Sequence, residues 1–335
     1  MATGCSPWAH SSRASATATA VLPIPVGPNS AITRGEEGEG CGEEDGREDR
    51  ARGEAEVSCE DEHIRVGLQF MQISGSKVLL TGATGGLGQA IARALSARGA
   101  QLVLTGRRVD VLEPLASELG ARALAVDLSE ASEVDRLLSE AGEVDILVAN
   151  AALPGAGKLD ALTMDQIDKA LEVNLRAPIA LAHALAPEMV TRGRGQLVFM
   201  SSLSGKAATA GSSIYNATKF GLRGFAGAMR AELHGTGVGV STVFPGFIRE
   251  AGMFAEAEVQ LPKGVGTRSP EDVAKAVVGA IERNRGEVDV APVTLRLGSA
   301  FAGIAPELSA TFTRKSGSDK IAYDLADGHR EKQKL

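Results

Sequence analysis

Lys77-Val78-Leu79-Leu80-Thr81-Gly82-Ala83-Thr84-Gly85-Gly86-Leu87-Gly88 decides the fold. An apolar run of strand length passes through a glycine-rich turn into an amphipathic stretch predicted as a helix over 86–98. Glycines let the turn form and let backbone approach a pyrophosphate, which the N-terminus of the next helix would stabilise. Gly82, Thr84, Gly86, Leu87 and Gly88 are therefore candidate nucleotide contacts.

Outward from this turn the pattern repeats. Apolar runs at Val78–Leu80, Leu102–Leu104, Ala123–Val126, Ile146–Val148, Leu197–Met200, Val238–Val243 and Val288–Val290 read as strands. Helices are predicted at 86–98, 109–119, 130–141, 163–193, 213–234 and 270–284, the long fourth one broken near Val173-Asn174. Strands alternating with helices predict an α/β domain with a doubly wound, parallel, seven-stranded sheet. Its bounds are expected at 73–292, with one further helix and a mobile tail over 293–335.

Residues 1–72 read as a disordered leader. Residues 1–70 hold all three cysteines and the one tryptophan, with 13 acidic and 6 basic residues, a net of −7. The remainder has 42 − 13 = 29 acidic and 35 − 6 = 29 basic residues, so the folded part is neutral. A polar segment without hydrophobic period cannot offset its ordering entropy. The neutral remainder offers no basic face for nucleic acid, and no apolar run reaches membrane-spanning length. The leader also lacks the continuous apolar stretch of a secretory signal. Residues 1–34 share the Ser/Ala-rich, acid-poor character of organelle transit peptides, but the acidic block behind them favours a cytoplasmic location. Met71 would also make a natural start for the domain. Cysteine-based metal sites and disulfides are excluded after residue 59, and no metal is expected.

Chemistry enters with Ile214-Tyr215-Asn216-Ala217-Thr218-Lys219. Tyr215 and Lys219 fall about one turn apart on one helix face. An ammonium near a phenol favours the phenolate, making Tyr215 a candidate acid/base near neutral pH. Upstream, the strand ending at Met200 runs into Ser201-Ser202, which could supply a hydroxyl beside the phenol.

The second strand ends in Leu104-Thr105-Gly106-Arg107-Arg108 rather than in an acid. An acid there would bind the adenosine ribose and reject a 2′-phosphate, whereas two guanidiniums suit that phosphate. NADP(H) is thus favoured over NAD(H), with Arg107 as the better candidate and Arg108 behind it. Asp127 and Leu128 could flank the adenine, or Asp127 could cap the following helix. Asn150 and Ala151 close the fourth strand. Small residues there let backbone pass under the nicotinamide ribose, and the Asn150 side chain is expected to bond backbone.

Taken together, residues 74–292 resemble the short-chain dehydrogenase/reductase family in its single-domain form. The resemblance rests on Thr81 to Gly88, Asn150, Asn174, Ser202, Tyr215 with Lys219, and Pro245-Gly246. It implies a Rossmann fold and hydride transfer between a nicotinamide and an alcohol or carbonyl substrate. It further implies that Tyr215 exchanges the proton on the substrate oxygen while Ser202 hydrogen-bonds that oxygen. Lys219 would hold the nicotinamide ribose and lower the Tyr215 pKa, and Asn174 would support a water bridging to Lys219. Tyr215, Lys219, Pro245, Gly246 and the backbone of Ile248 would contact the nicotinamide end. Two departures stand out. Ala149 and Ala152 replace the outer residues of the frequent Asn-Asn-Ala-Gly, and Arg249 stands where relatives often have a carboxamide-binding Thr.

His183 and His234 read as packing or surface residues, and Lys206 as a solvated loop lysine. Met253, Phe254 and Leu261 fall in the variable stretch where the family has its substrate lid; they either line an apolar pocket or pack a short helix. The small residues Gly221, Gly224 and Gly227 following Tyr215 allow close helix approach, either as packing within the subunit or, as the resemblance implies, as the contact of a homodimer or homotetramer. A 3-oxoacyl reductase is one assignment within the leading class. A non-catalytic NADP(H)-sensing regulator or scaffold is the rival from another class, and it would predict damage among Asn174, Ser202, Tyr215 and Lys219.

Overall fold

In the computed structural model, residues 71–155, 157–252, 266–316 and Tyr323 are described. The leader, save Met71 and Gln72, lies outside them, as do Met253, Phe254 and Leu261 and most of the tail. Seven strands form one sheet: β1 Lys77–Leu80, β2 Gln101–Gly106, β3 Arg122–Ala125, β4 Ile146–Ala149, β5 Gly195–Met200, β6 Val238–Pro245 and β7 Glu287–Val290. Their order is β3-β2-β1-β4-β5-β6-β7 and every pairing is parallel.

Alternation along each strand divides the core into two layers. Val78, Leu80, Ile146, Val148 and Val243 face α1 (Gly86–Ser96), α2 (Val109–Leu119) and α7 (Pro270–Glu282). Leu79, Leu147, Leu197 and Phe199 face α3 (Ala131–Ala141), α5 (Ala177–Arg192) and α6 (Ser213–Glu232). Both faces being covered explains why β1, β4 and β5 read as continuous apolar runs. Each such leucine contributes about 1.5–3 kcal/mol through burial.

Two helical stretches differ from expectation. The stretch expected to break near Val173-Asn174 does not break. Helix α4 (Met164–Leu171), opened by a Thr163/Gln166 capping box, continues through a π-type turn at Glu172–Arg176 into α5. One inserted residue in the hydrogen-bond ladder re-aims side chains without ending the helix. After Pro292 there are two helices rather than one, α8 (Val293–Ile304) and α9 (Pro306–Ser316). Ala305 leaves helical geometry at φ −130, ψ 67, because the ring of Pro306 disfavours a helical residue before it. Among the described residues, no helix is long and apolar enough to cross a membrane.

Candidate active site

Strand order reverses between β1, whose chain moves on to β2, and β4, which lies on its other side. In an open parallel sheet this switch point opens a crevice at the carboxyl ends of the strands. A cleft of about 500 Å³ lies there. It is lined by Gly82, Thr84, Gly86, Leu87, Gly88, Arg107, Arg108, Asp127, Leu128, Asn150 and Ala151, and by Ser202, Tyr215, Lys219, Pro245, Gly246 and Ile248. Residues spread over 166 positions, Gly82 to Ile248, thus meet in one groove.

The glycine turn is held by close backbone contacts. Gly82 has φ +66, and a Cβ there would lie 2.7 Å from Ala151 Cα. A Cβ on Gly88 would overlap the Gly82 carbonyl oxygen and lie 2.8 Å from Ala83 Cα. Asn150 ties β4 to this turn, its Nδ2 donating to the carbonyls of Thr81 (3.1 Å) and Gly82 (3.2 Å). Thr81 Oγ1 in turn accepts from the amides of Asn150 and Ala151.

Helix α1 has Gly85 at its N-cap, with no side-chain cap and no acidic residue in its first turn. An uncapped helix start beside small residues suits a phosphate group. Thr105, which also lines the cleft, keeps a buried hydroxyl with no hydrogen-bond partner among the described residues. These features fit a phosphate-bearing dinucleotide.

At the far end, Arg108 donates to the Thr84 carbonyl. Arg107, an exposed side chain, reaches only to 3.9 Å from the Asp127 carboxylate. Asp127 does not cap α3, whose N-cap is Glu130. Its Oδ1 instead accepts from Ser129 N (3.0 Å) and Ser129 Oγ (2.8 Å). Burial pushes the Asp127 carboxyl up, but the Ser129 hydrogen bonds and the Arg107 charge outweigh it, leaving the group below its ordinary range.

At the other end, Ser202 follows β5 and begins a single turn, Leu203–Gly205, while Tyr215 and Lys219 sit in the first half of α6. Ser202 Oγ accepts from Ser204 N at 3.1 Å, donates to Pro245 O at 3.4 Å, and sits close enough to the Tyr215 phenol to lower its pKa. Lys219 is buried; its Nζ donates to Met200 O at 2.8 Å and lies 5.5 Å from the Tyr215 ring centroid. Burial pushes the phenol up to about 12, against the lowering effect of Ser202. Burial likewise brings the Lys219 ammonium down to about 8. The expectation that the cation alone would bring the phenol toward neutrality is thus corrected for the protein without a bound nucleotide. Desolvation of both groups is the larger effect.

A pH test follows from Lys219. Between pH 8 and 10.5 the unfolded chain retains a proton that native Lys219 has released, so stability rises with pH across that window. Below pH 8 both states hold the proton and the burial cost is undiminished. Urea unfolding of the nucleotide-free protein should show this rise, and Lys219→Met should flatten it. Equal slopes in both proteins would refute the assignment.

Asn174 does not line the cleft. It is fully buried in the π-type turn, where Oδ1 accepts from Leu153 N at 2.7 Å and Nδ2 donates to Leu153 O at 2.9 Å. Its neighbour Val173 does reach the groove, together with Leu153, Pro154, Met200, Ala251 and Gly252, none of which was singled out individually as a site residue from the sequence. Met200 and Ser201 could have been anticipated from the carboxyl end of β5; Ala251 and Gly252 carry no comparable sequence signal. Arg249 turns to Glu250 (3.0 Å) and is absent from the cleft lining, whereas Ile248 pairs with Arg268 as an isolated parallel bridge. Lys206 is not the solvated lysine expected. It is largely buried and ion-paired to Asp289 (2.6 Å) and Glu287 (3.0 Å).

A doubly wound parallel sheet with an uncapped glycine turn at its switch point, and a Ser-Tyr-Lys cluster at the other end of the cleft, defines a nucleotide-dependent oxidoreductase architecture. The chain belongs to the short chain dehydrogenase family, whose model matches residues 76–261. It is an NAD(P)-dependent dehydrogenase/reductase. It is 37% identical over 227 residues to a ketoacyl reductase, HetN, of Nostoc sp., covering 65% of this chain and 79% of that protein. A short-chain dehydrogenase from Sphingobium yanoikuyae, solved in complex with NADPH, superposes with a TM-score of 0.61 at 28% identity, over 70% of this chain and 95% of the other. A serine dehydrogenase complexed with NADP+ gives 0.58 at 29% identity, over 65% and 95%.

Proposed function

We propose that the protein uses NADP(H) to interconvert a secondary alcohol and its ketone or aldehyde, with Tyr215 as acid/base. The observation that carries this reading is the convergence of the Ser202 hydroxyl, the Tyr215 phenol and the Lys219 ammonium at one end of a cleft whose other end holds Arg107 and Arg108. Gly82, Thr84, Gly86, Leu87 and Gly88 would hold the pyrophosphate against α1. Leu128 would flank the adenine, with Asp127 beside it, and Asn150, Ala151, Pro245, Gly246 and Ile248 would frame the nicotinamide end. The bound nicotinamide supplies or accepts the hydride at the substrate carbon.

In reduction, Ser202 and Tyr215 hold the carbonyl oxygen, and the phenol passes its proton to that oxygen as the carbon is reduced. The phenolate left behind is stabilised by Ser202 and by Lys219, then reprotonated from solvent. In oxidation the phenolate takes the alcohol proton. Lys219 earns its buried position by offsetting a negative charge that exists only while the proton is away from the phenol. Asn174 acts from behind, fixing the Leu153 backbone at the cleft wall.

The NADP(H) preference is supported by the two guanidiniums after β2 and by the NADPH- and NADP+-bound neighbours. It is tested by Arg107→Ala, which should weaken NADPH by about tenfold or more and leave NADH little changed. Equal weakening of both coenzymes would refute the role of Arg107. The activity itself is tested by NADPH oxidation with a panel of ketones and aldehydes. Tight NADPH binding without turnover of any of them would favour a sensor instead. A 3-oxoacyl thioester belongs in the panel, because a relative is named as a ketoacyl reductase. The reading extends to a cytoplasmic homo-oligomer joined through α6, where Phe220 is exposed beside Gly224 and Gly227.

A further inference from the structure

Lys206 lies four residues beyond Ser202, just past the turn Leu203–Gly205. Its side chain is only 12% exposed, and its Nζ sits 4.0 Å from the Phe244 ring centroid on β6. The ammonium bridges two carboxylates of the edge strand β7, Asp289 at 2.6 Å and Glu287 at 3.0 Å. Glu287 is shared: its carboxylate also accepts from Arg223 Nε at 2.7 Å and Nη2 at 3.2 Å. Arg223 is on α6, two helical turns beyond Tyr215. Burial pushes the Glu287 carboxyl up, yet its bonds to Arg223 and Lys206 hold it below its ordinary range.

The chain Lys206–Glu287–Arg223 therefore ties the segment carrying Ser202 to the helix carrying Tyr215, by way of β7. The near side of the same turn is already pinned, Ser201 Oγ donating to Lys219 O at 3.0 Å. Lys206 and Asp289 are largely desolvated, a costly way to add stability, while Glu287 and Arg223 stay about two-fifths exposed. The geometric effect of the cluster is specific: it fixes both ends of a short turn against α6.

We propose that Lys206 is a positioning residue that holds the Ser202 hydroxyl in register with the Tyr215 phenol through Glu287 and Arg223. The inference rests on the proposed acid/base role of Tyr215. Lys206 touches neither substrate nor nucleotide. It acts by keeping two cleft-lining groups from different elements in register, where a displacement of about 1 Å can cost on the order of a hundredfold in rate.

The test is steady-state alcohol oxidation with NADP+ as a function of pH, for wild type, Lys206→Met, Lys206→Arg and Glu287→Gln. Lys206→Met keeps an unbranched side chain of similar length and removes the charge that sits over Phe244. It should lower kcat by roughly tenfold to a hundredfold and move the pH profile upward, because Ser202 no longer lowers the phenol. The KM for NADP+ should stay within about twofold of wild type, since the coenzyme contacts are untouched. Lys206→Arg should restore both rate and profile, and Glu287→Gln, at a more exposed position, should show the same upward move in milder form. The charged neighbour of the phenol, Lys219, is intact in every variant. Wild-type kinetics in Lys206→Met would overturn the inference, as would a rate loss that tracks lost folded protein with an unmoved pH profile. A wild type that turns over no alcohol or carbonyl would instead overturn the reading of the site, and this inference with it.

Discussion

Tyr215→Phe should lower kcat for carbonyl reduction by roughly 10²–10⁴ while leaving NADPH binding nearly unchanged. The ring stays in place, so packing around it is conserved and only the hydroxyl is lost. That hydroxyl is the Ser202 partner and lies in the cleft with Lys219 near its ring. Its removal leaves the substrate oxygen without a proton donor in a site where burial has pushed the phenol up to about 12 and so kept its proton on. The check is NADPH consumption at saturating carbonyl, with Kd for NADPH measured separately. Similar turnover in both proteins would mean that the acid/base is another group.

The second large effect belongs to Gly88→Ala. The added methyl would overlap the Gly82 carbonyl oxygen and press on Ala83 Cα at 2.8 Å, both backbone, so neither can move aside as a flexible side chain could. Opening the turn should destabilise the nucleotide-free protein by about 1–3 kcal/mol. It should also weaken NADPH by roughly a hundredfold, equivalent to about 2.7 kcal/mol, because the turn and the start of α1 would no longer approach the pyrophosphate together. Gly279 on α7 is the control, since a Cβ there meets nothing within 4 Å. Gly279→Ala should stabilise by about 0.5–1 kcal/mol through helix propensity. Urea unfolding and coenzyme titration of both variants decide the matter, and a Gly88→Ala protein that binds NADPH normally would show that the turn tolerates a wider path.

Much of this was legible in the chain because the information is local. Each strand lay within a residue or three of its apolar run, since β1, β4 and β5 are buried on both faces and cannot hide their composition. The glycine turn was legible because strand, turn and helix are contiguous. What escaped depends on distant partners. The π-type turn at Glu172–Arg176 is held by Asn174 bonding to Leu153, 21 residues earlier, which no local pattern announces. Lys206 looked solvated because its partners lie on β7, the Asp289 contact being 83 residues away in the chain. The Tyr215–Lys219 spacing correctly suggested proximity, but not that burial would dominate both groups, raising the phenol and lowering the ammonium. Arg107 and Arg108 were legible as a pair. Their division into one guanidinium anchored on the Thr84 carbonyl and one 3.9 Å from Asp127 was not.

Strand β7 has a consequence beyond the cleft. It is the outermost strand on its side and only four residues long, with carboxylates at two of the four positions. A stray extended segment trying to anneal along that border would have to seat its backbone beside two anions already engaged with Lys206 and Arg223. The same acids that brace the interior therefore act as gatekeepers against fibre-like growth. Replacing both acids by neutral residues would remove both protections in one stroke.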